Sequence, residues 1–216
     1  MSLIGPYRGI RFDLTGPMRT RREVFFRAYE PAVTCWLKAA VEPGMTAYVV
    51  GAHVGIHALM LGKRLRGRGR VFAFEGWPEN YRSLAANIAC NPALTRVLIP
   101  VHLAVGRSSG MTQMTSGSSD GRHHLAMEGD GVSDRVDVPS TTLDDFWAAT
   151  GGCVDVVLID IEGFELEALE GARRLLAACR PLLVVEHHRK IEVLCRWLLH
   201  HGYEVQTVDR RHIFAV

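Results

Sequence analysis

The sequence predicts an α/β fold, a mostly parallel sheet covered by helices and closed by an antiparallel hairpin. Three observations predict it. From Met45 onward, short apolar runs alternate with amphipathic stretches, the rhythm of successive βαβ units. The run from Val154 to Ile159 is apolar around a single Asp155, as a strand buried on both faces requires. At the end of the chain, only Asp209, Arg210 and Arg211 separate Glu204 to Val208 from His212 to Val216. That connection is too short for another crossover.

Before the sheet, Phe25, Tyr29, Val33, Trp36, Leu37 and Ala40 fall on one helical face, with Pro31 dividing two short helices. The first strand is expected over Met45 to Val50, ending at Gly51, and a helix over Gly55 to Leu65. The second strand, Arg70 to Phe74, ends at Glu75. Pro78 then suits the first position of a helix that runs to Cys90, where Asn91 and Pro92 stop it. Arg96 to Val101 reads as the third strand. Phe164 to Cys179 reads as one helix and Leu182 to Val185 as another buried strand. Ile191, Leu194, Cys195 and Leu198 then mark an amphipathic helix at i, i+3, i+4, i+7 spacing. Between the third and fourth buried strands lies 106–137, rich in Gly, Ser, Thr and Asp. Met111 to Thr115 and Arg135 to Val138 are its candidate strands, and its length suggests a substrate lid.

At 216 residues, the chain suits one domain, with 1–44 as an N-terminal helical segment and 106–137 as an insertion. It is 48% hydrophobic, enough for a real core and too much for a disordered chain. A net charge of +2 argues against a duplex-DNA binder; Arg64, Arg66, Arg68 and Arg70 alternate with small or apolar residues as in a solvated turn. No run reaches the roughly 18 apolar residues that would span a bilayer. Met1 to Pro17 lacks the apolar stretch of a secretory signal, so a cytoplasmic location is expected. The five cysteines are scattered without a Cys-x-x-Cys pair and are expected to be reduced core thiols. The aromatic N-terminal face leaves two options, packing on the sheet or on a second subunit.

Three stretches carry chemistry. In Val50-Gly-Ala-His-Val-Gly55, Gly51 permits a sharp turn off the strand, and Gly55 permits close approach of a ligand at the next helix start. Glu75, 24 residues after Gly51, closes the next strand, where a carboxylate can accept from both ribose hydroxyls of a nucleoside. His53 stands where a nicotinamide enzyme would carry the second glycine of G-x-G-x-x-G. The pattern therefore favours an adenosine cofactor without a diphosphate, and S-adenosylmethionine fits. The second stretch is Asp160-Ile-Glu-Gly163, leaving a buried strand at the edge where open α/β sheets keep their sites. Glu167 and Glu170, further on, read as a solvated face. The third is Glu186-His-His188. Here one histidine can serve as base near neutral pH, and the oxygen and imidazole groups could equally hold a divalent ion. The candidate metal ligands are Asp160, Glu186 and His187. His123 and His124, in the insertion, are candidate substrate contacts; His102 and His212 carry no signal.

These stretches, with Val71 to Asn80, Leu84 to Asn87, His102 to Gly106 and Thr142 to Asp145, resemble the FkbM family of S-adenosylmethionine-dependent methyltransferases over about Met45 to Val185. The resemblance implies a class I methyltransferase (Rossmann-like) three-layer sandwich of seven strands. It implies that Gly51, Ala52, His53 and Gly55 line the methionine part of the cofactor, with Ile56 and His57 in the same cofactor-binding stretch. Glu75 would hold the ribose, Gly76 and Trp77 would flank the adenine, and Ala104 and Val105 would meet its edge. Asp160 and Glu162 would face the methyl-transfer region, and the acceptor would be a hydroxyl on a sugar or natural product. Three positions depart from the family pattern: Val49 replaces an acid, His53 an amide and Leu158 a lysine. The expected catalytic residues are Asp160 or His187 as proton acceptor, with Glu162 and Glu186 orienting the substrate or a divalent cation. Val49 and His53 keep open an alternative, an inactive accessory protein on a methyltransferase scaffold.

Overall fold

The computed structural model describes residues 5–13, 29–116, 123–125, 135–188 and 191–216. Strand β1 (Thr46–Val50) leads to helix α2 (Ile56–Arg64), and β2 (Arg70–Phe74) to α3 (Pro78–Ala89); helix α1 (Pro31–Ala40) precedes them. Pro31 begins α1, and the preceding segment that holds Phe25, where the other expected helix falls, lies outside the described residues. Then come β3 (Leu98–Val101), β4 (Ala104–Val105), β5 (Gly110–Ser116), β6 (His123–Leu125), β7 (Arg135–Thr141), α4 (Leu143–Thr150) and β8 (Val156–Ile159). The chain ends with α5 (Glu165–Glu170), α6 (Arg173–Cys179), β9 (Leu182–Glu186), α7 (Ile191–His200), β10 (Val205–Thr207) and β11 (His212–Ala215).

Seven strands form one sheet in the order β10-β11-β9-β8-β1-β2-β3. Only β11 runs against its neighbours. The order reverses after β3, when the chain crosses to β8 on the other side of β1; such a switch point is where α/β sheets open a crevice at the carboxyl ends of their strands. A second, four-stranded sheet, β4-β7-β5-β6, is built from the polar insertion and its flanks.

Alternation along the strands sends side chains to two cores. Ala47, Val49, Leu158, Val184 and Phe214 meet α1, α2 and α3 on one face. Tyr48, Val50, Val157, Ile159 and Val185 meet α4 to α7 on the other. Tyr7 and Ile10 are buried in the first core, and the segment is pinned to the end of α3. Asn91 accepts from the Arg11 N–H (2.9 Å) and donates back to the Arg11 carbonyl (2.7 Å). Phe214 receives Trp36, with ring centroids 4.7 Å apart, so the described part of the aromatic helix face packs on the sheet.

Two expectations need correction. The helix expected over Phe164 to Cys179 is two helices. At the break, a Cβ on Gly171 would lie 2.2 Å from the Gly106 carbonyl oxygen, and the Gly171 carbonyl accepts the Asp144 N–H at 2.8 Å. Asp144 then accepts the Arg174 and Leu175 N–H groups at 3.0 and 2.8 Å, supplying the first turn of α6 with acceptors. The cysteines are not core thiols: Cys35 and Cys153 are exposed, and Cys90, Cys179 and Cys195 are partly so. Arg66 and Arg68 do lie on an exposed turn, whereas Arg64 ends α2 and Arg70 begins β2. Among the described residues, no helix is long and apolar enough to cross a membrane.

Candidate functional site

The carboxyl ends of β1, β2, β8 and β9 converge because Gly51 lets them. Its N–H and that of Ala52 both donate to the Phe74 carbonyl, at 3.0 and 2.8 Å, folding the loop over the end of β2. With φ at 81°, a Cβ on Gly51 would stand 1.7 Å from the Asp160 carbonyl oxygen, so only glycine passes there. Gly55 has a different reason from the one expected. A Cβ on it would meet Leu84 Cδ1 at 2.6 Å, so its closest neighbour is the side chain of α3.

Glu75 faces this loop from the end of β2 and is 6% exposed. Its two oxygens accept the His53 N–H (2.7 Å) and the Trp77 N–H (2.8 Å), which fixes the carboxylate plane. His53 adopts φ 50° to make that bond. Burial pushes the Glu75 carboxyl up to about 7, against the lowering effect of the Trp77, His53 and Asn80 donors. Beyond it, Trp77 and Ala104 pack with Met114 and Val138 into a small core between the two sheets. Gly76 is held there, since a Cβ on it would lie 2.6 Å from Met114 Sδ. Val105 is buried in the second core, beside Leu143. Met114 and Val138 could have been singled out only by their place on the insertion strands. Ile56 is buried in the first core, and His57 donates from Nε2 to Glu30.

An acidic face lies on the other side of Gly51. Asp160 and Glu186 hydrogen-bond to one another; desolvation first, and the Glu186 charge second, raise the Asp160 carboxyl well above its ordinary value. Glu162, at φ 55°, and Gly163 turn the chain so that α5 begins with Glu165 beneath them. His188 joins the group, with Nε2 3.0 Å from Glu162 and 3.5 Å from Glu186, and Nδ1 3.1 Å from Glu165. Burial would lower the His188 pKa, but Glu165, Glu162 and Glu186 together raise it.

The structure thus places His188, not His187, among these carboxylates. The His187 N–H closes the ladder to the Arg211 carbonyl at 2.7 Å, and its Nε2 is buried with no hydrogen-bond partner among the described residues. Asp160 and Glu186 of the expected metal trio come together; His187 does not join them. Glu165 is 2% exposed, and Glu170, expected on a solvated face, is half-buried and paired with Arg107. The side chains of His123 and His124 lie outside the described residues.

Two participants carry no sequence signal of their own, Glu30 and His212. His212 is the register partner of Glu186 across the antiparallel β9–β11 pair, so both point to the face that carries Asp160. Glu30, at φ 42° just before α1, reaches the same place and meets His57 Nε2 at 2.8 Å. Burial would raise the Glu30 carboxyl, yet the neighbouring imidazoles of His212 and His57 hold it down at about 2.

No curated protein sequence matches the chain. Among solved structures, it is similar to the FkbM methyltransferase of Methylobacillus flagellatus at 19% identity and TM-score 0.60. That match covers 82% of this chain and 44% of the other, so this chain spans less than half the length of that relative. It is also similar to Aeropyrum pernix fibrillarin, solved with S-adenosyl-L-methionine bound, at 16% identity and TM-score 0.52 over 82% of this chain and 68% of that one. A third is the precorrin-6y C5,15-methyltransferase of Geobacter metallireducens, at 15% identity and TM-score 0.52 over 87% of each chain. They share the class I methyltransferase architecture of the seven-stranded sheet. The model of the FkbM methyltransferase domain matches residues 50–205, most of the chain, and the chain belongs to that family.

Proposed function

We propose that this protein is an S-adenosylmethionine-dependent O-methyltransferase acting on a hydroxyl of a small molecule, a sugar or natural product. The observation that carries the reading is the grouping of Asp160, Glu186 and His188 at the strand ends, their polar side-chain atoms within 4.8 Å of one another, beside the Gly51 turn.

The residues present fit the cofactor. A carboxylate can accept about four hydrogen bonds, and Glu75 takes one backbone N–H on each oxygen and a bond from Asn80, which leaves an acceptor position for a ribose hydroxyl. The carboxylates of Asp160, Glu162 and Glu186 provide the negative surroundings that a cationic sulfonium favours. Gly51 to Gly55, with Ile56 and His57 behind them, would hold its amino-acid part, and Trp77, Ala104 and Val105 would lie towards the adenine. Bound there, S-adenosylmethionine supplies an electrophilic methyl group.

The chain's own residues supply position and proton transfer. Asp160, its carboxyl raised by burial and by Glu186, is the group placed to accept the hydroxyl proton. Glu186 hydrogen-bonds to Asp160, and His188 ties Glu186 to Glu162. Such an arrangement fixes an acceptor oxygen instead of activating it strongly, which suits a displacement governed by alignment. The test is S-adenosylhomocysteine release from the full chain with a panel of polyhydroxylated sugars, alcohols and amines. Release with hydroxyl acceptors that collapses in Asp160→Asn, while cofactor binding persists, supports the reading. Release with amines only overturns it.

A further inference from the structure

We infer that Glu30, Glu186 and His212 form a binding site for one divalent transition-metal cation. Antiparallel register sets His212 beside Glu186 on one face of the sheet, and the left-handed turn at Glu30 brings a second carboxylate across from the helical layer. Ligand-capable atoms of the three residues all lie within 4.8 Å of one another. The His212 ring supplies the independent sign. It is 4% exposed, and its Nδ1 is taken by Asp209, 2.8 and 2.9 Å from the two carboxylate oxygens. Its Nε2 is buried without a hydrogen-bond partner among the described residues, 3.7 Å from Glu30 Oε2 and aimed into the group.

An imidazole that gives one N–H to a carboxylate presents the lone pair of its other nitrogen, the usual support for a metal-ligating histidine. Asp209 has that role here, and His57, 2.8 Å from Glu30 Oε2, orients the second ligand. A cation would satisfy the orphan Nε2 and offset two largely buried carboxylates at once. The neighbouring group of Asp160, Glu186 and His188 lacks this sign, because both ring nitrogens of His188 already have carboxylate partners at 3.0 and 3.1 Å. Arg211, 3.6 Å from Glu186 Oε1 and 66% exposed, competes for that oxygen from the solvent side.

Two carboxylates and one imidazole suit a borderline or hard ion such as Mn2+. Mn2+ is also the cleaner probe, because the exposed thiols of Cys35 and Cys153 would draw softer ions. The inference does not rest on the methyltransferase reading and is tested with the metal alone. Mn2+ titration of the full-length protein, followed by calorimetry and by loss of the free-ion paramagnetic resonance signal, should show one ion per chain. His212→Gln and Glu30→Gln should each weaken binding at least about tenfold. Asp209→Asn, at an exposed side chain that touches no metal, should weaken it ~10–100-fold as an outer partner. His188→Gln should change it less than about twofold, well under an outer-partner effect. Absence of stoichiometric binding by the folded wild type overturns the site, as does unchanged affinity in Asp209→Asn and His212→Gln. Loss of binding in His188→Gln alone assigns the ion to the neighbouring group and equally overturns it.

Discussion

Val49 and Leu158 are register partners across the parallel β1–β8 pair, and both are buried in the same core. They are also two of the positions that depart from the pattern of the FkbM family, where an acid and a lysine are expected. The two departures therefore sit side by side in one apolar core. Buried ion pairs are often replaced by apolar groups at no loss of stability, because desolvation cancels most of their attraction. The Val49 change thus requires no collapse of the fold. Val49→Asp alone should destabilise the protein by about 3–5 kcal/mol, the cost of a buried unpaired charge. Val49→Asp with Leu158→Lys should recover part of that loss. Urea unfolding of the four proteins measures the coupling; strictly additive losses would contradict it.

Glu75 predicts a pH dependence. Its folded carboxyl is at about 7, above the ordinary 4.5, so the folded state binds more protons than the unfolded state between those values. Stability contributed by this group is present below about 4.5 and falls as pH rises towards 7, by about 3 kcal/mol. Asp160, also raised, acts in the same direction. Unfolding free energies measured across that interval should decline more steeply in the wild type than in Glu75→Gln. Equal slopes would show that Glu75 does not carry the raised value.

Gly51 should tolerate no side chain. In Gly51→Ala, the new Cβ meets the Asp160 backbone and the positive φ is strained. A loss of at least about 2 kcal/mol in stability is expected, together with weakened S-adenosylhomocysteine binding. Gly163, which has φ 107° and open space around its Cβ position, should lose only the conformational part, about 1 kcal/mol. Thermal unfolding and calorimetry of both variants make the comparison; equal losses would contradict the close approach at Gly51.

Asp144 should prove structural. It supplies acceptors to the start of α6 and is 9% exposed, while Thr142 Oγ1 accepts the Asp145 N–H at 3.0 Å and caps α4. Asp144→Ala should cost about 1–2 kcal/mol, as lost helix caps do, without changing cofactor affinity. A variant of native stability with impaired binding would reverse that assignment.

Much of this was legible before any coordinates. The strands at 46–50, 70–74 and 182–186, the Gly51 turn, Glu75 at a strand end and the final hairpin all follow from runs and spacing. The break at Gly171 was not, because Leu169, Leu175 and Leu176 continue a helical pattern while the cause lies at Gly106. His188 and His187 are adjacent, and the choice between them depends on how the chain leaves β9. Glu30 and His212 are separated by 182 residues and meet only through the placement of β11 beside β9. Pairing the strands first would have set His212 opposite Glu186, which is the one signal that could have revealed it.

The central claim is that the crevice around Gly51, Glu75 and Asp160 holds S-adenosylmethionine. Calorimetric titration of the folded protein with S-adenosylhomocysteine tests it most directly, with Glu75→Gln alongside. The account predicts one site of micromolar affinity, weakened ~10–100-fold in the variant by loss of hydrogen bonds to a charged acceptor. No detectable binding to a protein shown to be folded would contradict it.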